Sequence, residues 1–182
     1  MFGTIHYCLE LTIKEKHGEQ QWKNCLKALD LSSDYTFARS ILKDLDEAES
    51  IALFVGCATT LGVTPKTLFD EFGEYWCCTY APDLYPQFYA ENNSTEDFIK
   101  SLDEIHKRVT SKKPGARPPR FVYEWLADER LKVTYQSSRD LFELFDSLLK
   151  GLDKYFQSKT AIHREGDYTL ILDFRPQVEK VA

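Results

Sequence analysis

The apolar residues change their period once along this 182-residue chain, and that change limits the folds open to it. Through the first two thirds they recur at helical spacing. Ile5, Leu9 and Ile13 mark a first helix that Gly18 ends. Trp22, Cys25, Leu26 and Leu29 mark a second, and 31–40, rich in Ser, Asp and Thr, reads as a loop. A third helix carries Ile51, Leu53, Phe54, Val55 and Ala58 and stops near Gly62. Thr64 followed by Pro65 is a cap and first-turn proline, opening a fourth helix with Leu68, Phe69, Phe72, Tyr75 and Trp76. Pro82 and Pro86 break the next stretch into a short helix or turns. Ser94-Thr95-Glu96-Asp97 is a capping signature ahead of Phe98, Leu102, Ile105 and Val109.

Lys112-Lys113-Pro114-Gly115-Ala116-Arg117-Pro118-Pro119 stops that pattern. From Arg120 the period is two: Phe121, Tyr123 and Trp125 alternate with Val122, Glu124 and Leu126. Asp128-Glu129 turns the chain into a strand over 131–139. A long helix, Leu141 to Phe156, follows, and then a second hairpin around Glu165-Gly166-Asp167. The expected architecture is α+β in one domain over 1–182, with a helical part at about 1–112. The part at about 113–182 carries a roughly four-stranded antiparallel sheet and one long helix.

Charge excludes some functions. With 29 acidic against 23 basic residues the net charge is −6, which argues against a nucleic-acid or anionic-membrane surface. No window approaches 18 uninterrupted apolar residues. Cys8, Cys25, Cys57, Cys77 and Cys78 are odd in number and lack zinc-ligand or C-x-x-C spacing. With no export segment at the start, they read as reduced thiols in the cytoplasm.

Two features remain unexplained by a core alone. The first is the strand Leu131-Lys132-Val133-Thr134-Tyr135-Gln136-Ser137-Ser138-Arg139. Its odd positions share one face, which begins as core and ends as Tyr135, Ser137 and Arg139, three hydrogen-bond donors about 6.6 Å apart. A buried unpaired guanidinium costs several kcal/mol, so this end is either wet or beside an anion. The plain alternative is a strand fraying before a helix. The second feature is His106, the one histidine inside a long amphipathic helix. It lies roughly 40° from Leu102 on the helical wheel, on the apolar stripe, where most histidines are ordinary core residues. His6 is also near an apolar face; His17 and His163 fall at element ends and read as solvated.

One ligand would account for both features. A flat, apolar, metal-centred group with two carboxylates at one edge would take an imidazole from His106 and its donors from the strand. Haem b has that form, and with no C-x-x-C-H its attachment would be non-covalent. The 12 Phe, 10 Tyr and 3 Trp supply ring surface for such a pocket, or for a large core.

The order of His106, Pro114-Gly115-Ala116-Arg117-Pro118-Pro119 and Tyr135-Gln136-Ser137-Ser138-Arg139 resembles the H-NOX family. These are haem nitric oxide/oxygen-binding domains related to soluble guanylate cyclase. The similarity extends to Met1-Phe2-Gly3-Thr4-Ile5, to Phe72-Gly73-Glu74-Tyr75-Trp76 and to Leu148-Leu149-Lys150-Gly151-Leu152. It implies His106 as the proximal iron ligand, and Tyr135, Ser137 and Arg139 as holders of the haem propionates. Pro119, or its neighbour Pro118, would press on the porphyrin. Ile5, Leu9, Trp76, Leu144 and Leu148 would line or approach the distal pocket.

Oxygen-binding members carry a distal tyrosine five residues after the motif arginine. Here that position is Leu144, which implies selection of nitric oxide over oxygen, with Trp76 as the other candidate donor. The resemblance implies a cytoplasmic sensor of nitric oxide, and of carbon monoxide as a second ligand. It would have no catalysis of its own and would signal by weakening of the Fe–His bond to a separate effector. A histidine kinase, a cyclic-di-GMP enzyme or a cyclase would suit that role. Its rivals are an oxygen sensor, a haem-free interaction module of the same fold, and a haem peroxidase or oxygenase. The enzyme is disfavoured because no distal acid–base pair can be placed. Some members also carry a C-terminal zinc-binding Cys/His cluster, which is absent here, since no cysteine follows Cys78.

Overall fold

A computed structural model describes residues 3–41, 43, 46–111, 118–127, 129–137 and 141–175. Helix α1 (Gly3–His17) is followed by α2 (Glu19–Ala28) and a 3₁₀ turn (Phe37–Ser40) within the expected loop. Helix α3 (Glu47–Leu61) is capped by the Asp46 carboxylate on Glu49 N. It ends at Gly62, whose left-handed φ of 71° suits a residue without Cβ. Helix α4 (Pro65–Tyr75) starts on Thr64, whose hydroxyl accepts from Thr67 N at 3.0 Å. It runs into a π-helical stretch (Trp76–Tyr80), and two short helices, α5 (Ala81–Leu84) and α6 (Pro86–Ala90), occupy the proline-broken segment. Helix α7 (Thr95–Thr110) begins on Ser94, which accepts from Asp97 N.

Strands β1 (Arg120–Leu126) and β2 (Arg130–Gln136) form the first hairpin. After α8 (Phe142–Phe156) come β3 (Ala161–Arg164) and β4 (Thr169–Asp173). The sheet is antiparallel throughout, in the order β1-β2-β4-β3. Leu131, Val133 and Tyr135 on β2 are buried while Lys132 and Thr134 are half-buried, the alternation that a one-sided sheet requires. Strand β2 stops at Gln136, so the expected strand over 131–139 is shorter than its side-chain pattern suggested.

Two hydrophobic cores result. One packs α1–α4 around Leu9, Trp22, Leu26, Leu68 and Phe72, with Leu144 of α8 added to it. The other packs α5–α8 against the inner sheet face through Phe88, Ile99, Leu131, Leu149 and Leu170. Trp76 and Leu148 touch both. Spatially, then, α7 shares its core with α5, α6 and the sheet and not with α1–α4. No single helix among the described residues is long and apolar enough to cross a membrane.

Candidate functional site

A cavity of about 260 Å³ opens among members of both cores. Leu102, Ile105, His106 and Val109 of α7, with Phe121 of β1 and the pair Pro118–Pro119, supply one group of its wall residues. Thr4 and Ile5 of α1, Trp76 of the π-helical stretch, and Leu144 and Leu148 of α8 supply another. The wall is predominantly apolar, so each polar atom in it is conspicuous.

His106 reaches the cavity because α7 presents one stripe to the inner sheet face, as helical periodicity demands. Its ring lies 5.7 Å from that of Phe121. Its Nδ1 is buried and meets no partner in hydrogen-bond geometry among the described residues, although the Pro119 backbone is close enough to favour the charged ring. Burial dominates and pushes the imidazole below its ordinary pKa, against the Pro119 backbone and the Asp103 charge, with the Arg120 charge assisting. The neutral imidazole that results keeps a lone pair available to a metal. Asp103, one turn earlier on α7, is itself held by Arg120 at 2.9 Å and Lys107 at 3.1 Å.

Tyr135 is buried and lines the cavity, its ring stacked 5.7 Å from Phe145 and edge-on to Phe121 at 6.0 Å. Ser137, one residue beyond β2, is half-buried and is not part of the wall. Arg139 lies outside the described residues. Leu9, one turn into α1 from Ile5, is fully buried in the first core and does not line the cavity. Of the ten residues singled out in the sequence, the fold brings Ile5, Trp76, His106, Pro119, Tyr135, Leu144 and Leu148 to one cavity.

Other wall residues escaped the sequence reading. Thr4 is polar and outside the apolar pattern Ile5, Leu9 and Ile13, and Phe88 and Tyr89 lie in a proline-broken stretch with no periodicity to follow. Leu102, Ile105 and Val109 were legible as the stripe that carries His106, a signal that could have placed them in the wall. His17 is not simply solvated: its Nε2 lies 2.7 Å from Glu71 and its side chain is half-buried. His6 is buried, with Nε2 2.8 Å from the Ser50 hydroxyl, and His163 is exposed.

Cys77 is buried in the cavity wall, its thiol pushed well above its ordinary pKa by burial, and it donates to Leu148 O at 3.3 Å. Cys78 donates to Gly151 O at 3.5 Å. Both thiols thus fasten the π-helical stretch to α8, and burial keeps Cys77 unreactive.

This donor set fits a haem. One imidazole stands in a predominantly apolar wall rich in aromatic rings, with a tyrosine of β2 at the same cavity.

Residues 2–164 match the family described as Haem-NO-binding. Among curated proteins the chain is similar to the soluble guanylate cyclase gcy-37 of Caenorhabditis elegans, with 25% identity over 155 residues. That match covers 82% of this chain but 22% of the cyclase, so the chain spans about a fifth of that relative's length. Among solved structures it is similar to an oxygen-binding H-NOX domain related to soluble guanylate cyclases, solved as the oxygen complex. The TM-score is 0.81 at 23% identity, covering 100% of this chain and 99% of that one. A mutant of the T. tengcongensis H-NOX superposes with a TM-score of 0.83 at 22% identity over 98% of this chain and 100% of the other.

Proposed function

The chain belongs to the haem-NO-binding, or H-NOX, family, and from that premise we propose that it senses nitric oxide through a non-covalent haem b held by His106. The observation that carries this reading is a single half-buried imidazole, its Nδ1 buried and its charged form disfavoured by burial, in the wall of an apolar cavity that both cores share. When bound to His106, haem would supply a ferrous iron able to take up a diatomic gas.

The chain's own residues then have distinct tasks. His106 would hold the iron by an imidazole nitrogen from α7, so a change in that attachment would act directly on the helix. Pro118 and Pro119, rigid in φ, limit how the wall beside His106 can relax. Tyr135 stands at the cavity for one edge of the ligand, and Ser137 and Arg139, which follow it at every second position in the sequence, would hold the propionates. Leu144 places a hydrocarbon where a hydroxyl would hold bound oxygen, which favours nitric oxide, with carbon monoxide as a weaker ligand. Oxygen sensing is the second reading, supported by Trp76, whose ring lines the cavity and carries an N–H.

Because α7 packs with the sheet while Thr4, Ile5 and Leu144 belong with the first core, a movement of α7 shifts one core against the other. Such a two-state element biased by a ligand is what a sensor needs. The signal would pass to a separate effector such as a histidine kinase or a cyclic-di-GMP enzyme, or to a cyclase region of a longer polypeptide. Residues 1–182 would act as one sensor domain, in the cytoplasm, without catalysis. The five free cysteines and acidic balance support that location.

The test is spectroscopic. Anaerobic ferrous protein should show a Soret band of five-coordinate, histidine-ligated haem that moves with nitric oxide and stays put with oxygen. His106→Ala should abolish that spectrum, and added imidazole should restore it. A colourless protein that takes up no hemin would reject the sensor in favour of a haem-free module, and an oxygen-dependent shift would favour the second reading.

A further inference from the structure

The cavity wall holds side chains that can lose an electron. Trp76, Cys77, Tyr85, Tyr89 and Tyr135 are open to one-electron oxidation, whereas the phenylalanines and aliphatic groups around them are not. The proton decides among these five. A phenol or thiol that loses an electron becomes a very strong acid and must shed its proton at once, while an oxidised indole can keep its own for a time. Tyr89 and Tyr135 are buried. Tyr89 has its hydroxyl against the Cys77 thiol, and Tyr135 lies among Phe121, Phe142 and Phe145. A proton released there would enter an apolar interior, where an unpaired charge is costly. Trp76 is the wall residue from which an electron leaves most readily.

Behind Trp76 stand two more oxidisable rings. Tyr80, at the far end of the same π-helical stretch, has its ring 5.5 Å from that of Trp76, and Tyr7 of α1 is edge-on to Tyr80 at 6.1 Å. Both separations are those of rings in contact. On its other side Trp76 stacks on Phe72 at 5.8 Å, which ends the path in that direction. Tyr80 and Tyr7 are each half-buried, so both reach solvent. The Tyr80 hydroxyl also shares a hydrogen bond of 3.1 Å with the Thr4 hydroxyl, which gives a departing proton an oxygen to move to. Burial raises the pKa of Tyr80, so the phenol keeps its proton until the electron goes. Two other exits compete. Tyr85 is half-buried in the wall, but its ring neighbour among the described residues is Phe88, at 6.0 Å. Tyr89 is edge-on to the exposed Tyr155 at 4.7 Å, but its own proton is trapped.

We propose that Trp76, Tyr80 and Tyr7 form a redox relay that carries oxidising equivalents from a haem in the cavity to the surface, and so protects that haem against peroxide. The proposal rests on the sensor reading above. Hydrogen peroxide is the oxidant. Its O–O bond breaks and its two oxygens leave as two waters, taking one electron and one proton from each of two phenols, Tyr80 and Tyr7, with the iron unchanged overall. The electrons pass inward through Trp76 and the protons leave by the Thr4 side and by water. The two phenoxyl radicals then stand where a thiol in solution can return a hydrogen atom to each, two thiols becoming one disulfide.

The experiment mixes ferric haem-loaded protein with equimolar hydrogen peroxide, freezes it within milliseconds and records the electron paramagnetic resonance spectrum. The unaltered chain should give a tyrosyl radical. Tyr80→Phe should lose that signal and show an indole radical in its place, and its Soret band should bleach faster under repeated peroxide. Tyr7→Phe should keep the tyrosyl signal at about half the yield, since one of two phenols remains. Trp76→Phe should lose the signal as well, and Tyr80→Phe, which leaves the wall intact, carries the test should Trp76→Phe fail to take up haem. Tyr85→Phe and Tyr155→Phe should both retain the signal of the unaltered chain. A tyrosyl signal undiminished in Tyr80→Phe, or lost in Tyr85→Phe or Tyr155→Phe, overturns the relay, as does a haem-loaded chain that forms no side-chain radical. In those cases a normal Soret band leaves the sensor reading standing. Failure of the unaltered chain to bind haem overturns that reading and the relay with it.

Discussion

Glu10 is a carboxylate buried to 1% exposure, and it is kept there by a full set of donors. It accepts from Phe37 N at 2.8 Å, from the Thr36 hydroxyl at 3.0 Å and from Lys14 Nζ at 2.9 Å. Those bonds fasten the 3₁₀ turn to α1, and the same turn meets Gly3 at the helix start, so Glu10 indirectly fixes where Thr4 and Ile5 stand. Removing a partner from a buried charged network costs about 3–5 kcal/mol, and here the buried Phe37 N–H would lose its acceptor. Glu10→Ala should lower the unfolding free energy measured in urea by about that amount, while Glu10→Gln, which keeps one acceptor oxygen, should lose clearly less. Equal losses would mean that helix packing and not the acceptor is what matters. In the sequence Thr4, Glu10 and Lys14 are polar residues among the apolar positions Ile5, Leu9 and Ile13, and His6 lies near the same apolar face. Three of the four are buried, and their partners, Tyr80, Ser50 and Phe37, are 27 to 76 residues away. Periodicity reports which face a residue occupies and carries no information on distant partners, so this polar seam could not be read in advance.

At the level of elements, the contact between α4 and α8 joins the two cores, and two effects compete to explain it. Lys66, Lys150, Asp70 and Asp146 form an ion-pair cluster across it, and Glu74 binds Lys16 of α1 and Lys154 of α8, each at 2.9 Å. These side chains are largely solvated, and exposed pairs contribute roughly 0.2–1 kcal/mol each, more weakly in salt. The backbone contact is the stronger constraint. A Cβ on Gly73 would sit 2.4 Å from Ser147 O, and one on Gly151 would sit 2.2 Å from Gly73 O. Neither obstacle is a flexible side chain, so the helices must separate to admit a methyl, at about 1–3 kcal/mol for the strain. Gly73→Ala should therefore lower the unfolding midpoint more than Asp70→Asn, in low salt and high salt alike; the reverse order would make the ion pairs the principal clamp. Helix positions, their caps and the two hairpins were readable locally because each depends on neighbours in sequence. That α7 joins the sheet, and that β2 stops before Ser137, were not, since both depend on which surfaces remain for α7 and α8 to cover.

For the whole molecule, the decisive quantity is the cavity that both cores surround. An apolar void costs roughly 24 cal/mol per Å³, so about 260 Å³ left unfilled corresponds to about 6 kcal/mol. That is an upper limit, because part of the wall faces solvent, yet it rivals the 5–15 kcal/mol typical of a whole folded domain. A chain with this wall is therefore built to be filled. Haem bound to the folded state and not to the unfolded one adds stability in proportion to the logarithm of its free concentration over its dissociation constant. Haem-free protein should unfold at a distinctly lower temperature than haem-loaded protein. It should also unfold with a smaller urea dependence, because a cavity left open to solvent means the native state hides less surface than the filled one. His106→Ala refilled with hemin should recover only part of the thermal difference, since the apolar wall still takes the ring while the axial attachment is gone. Calorimetry of the three forms decides the matter: identical midpoints for the haem-free and loaded protein would mean that the cavity closes without cost and that its wall was not shaped around a ligand.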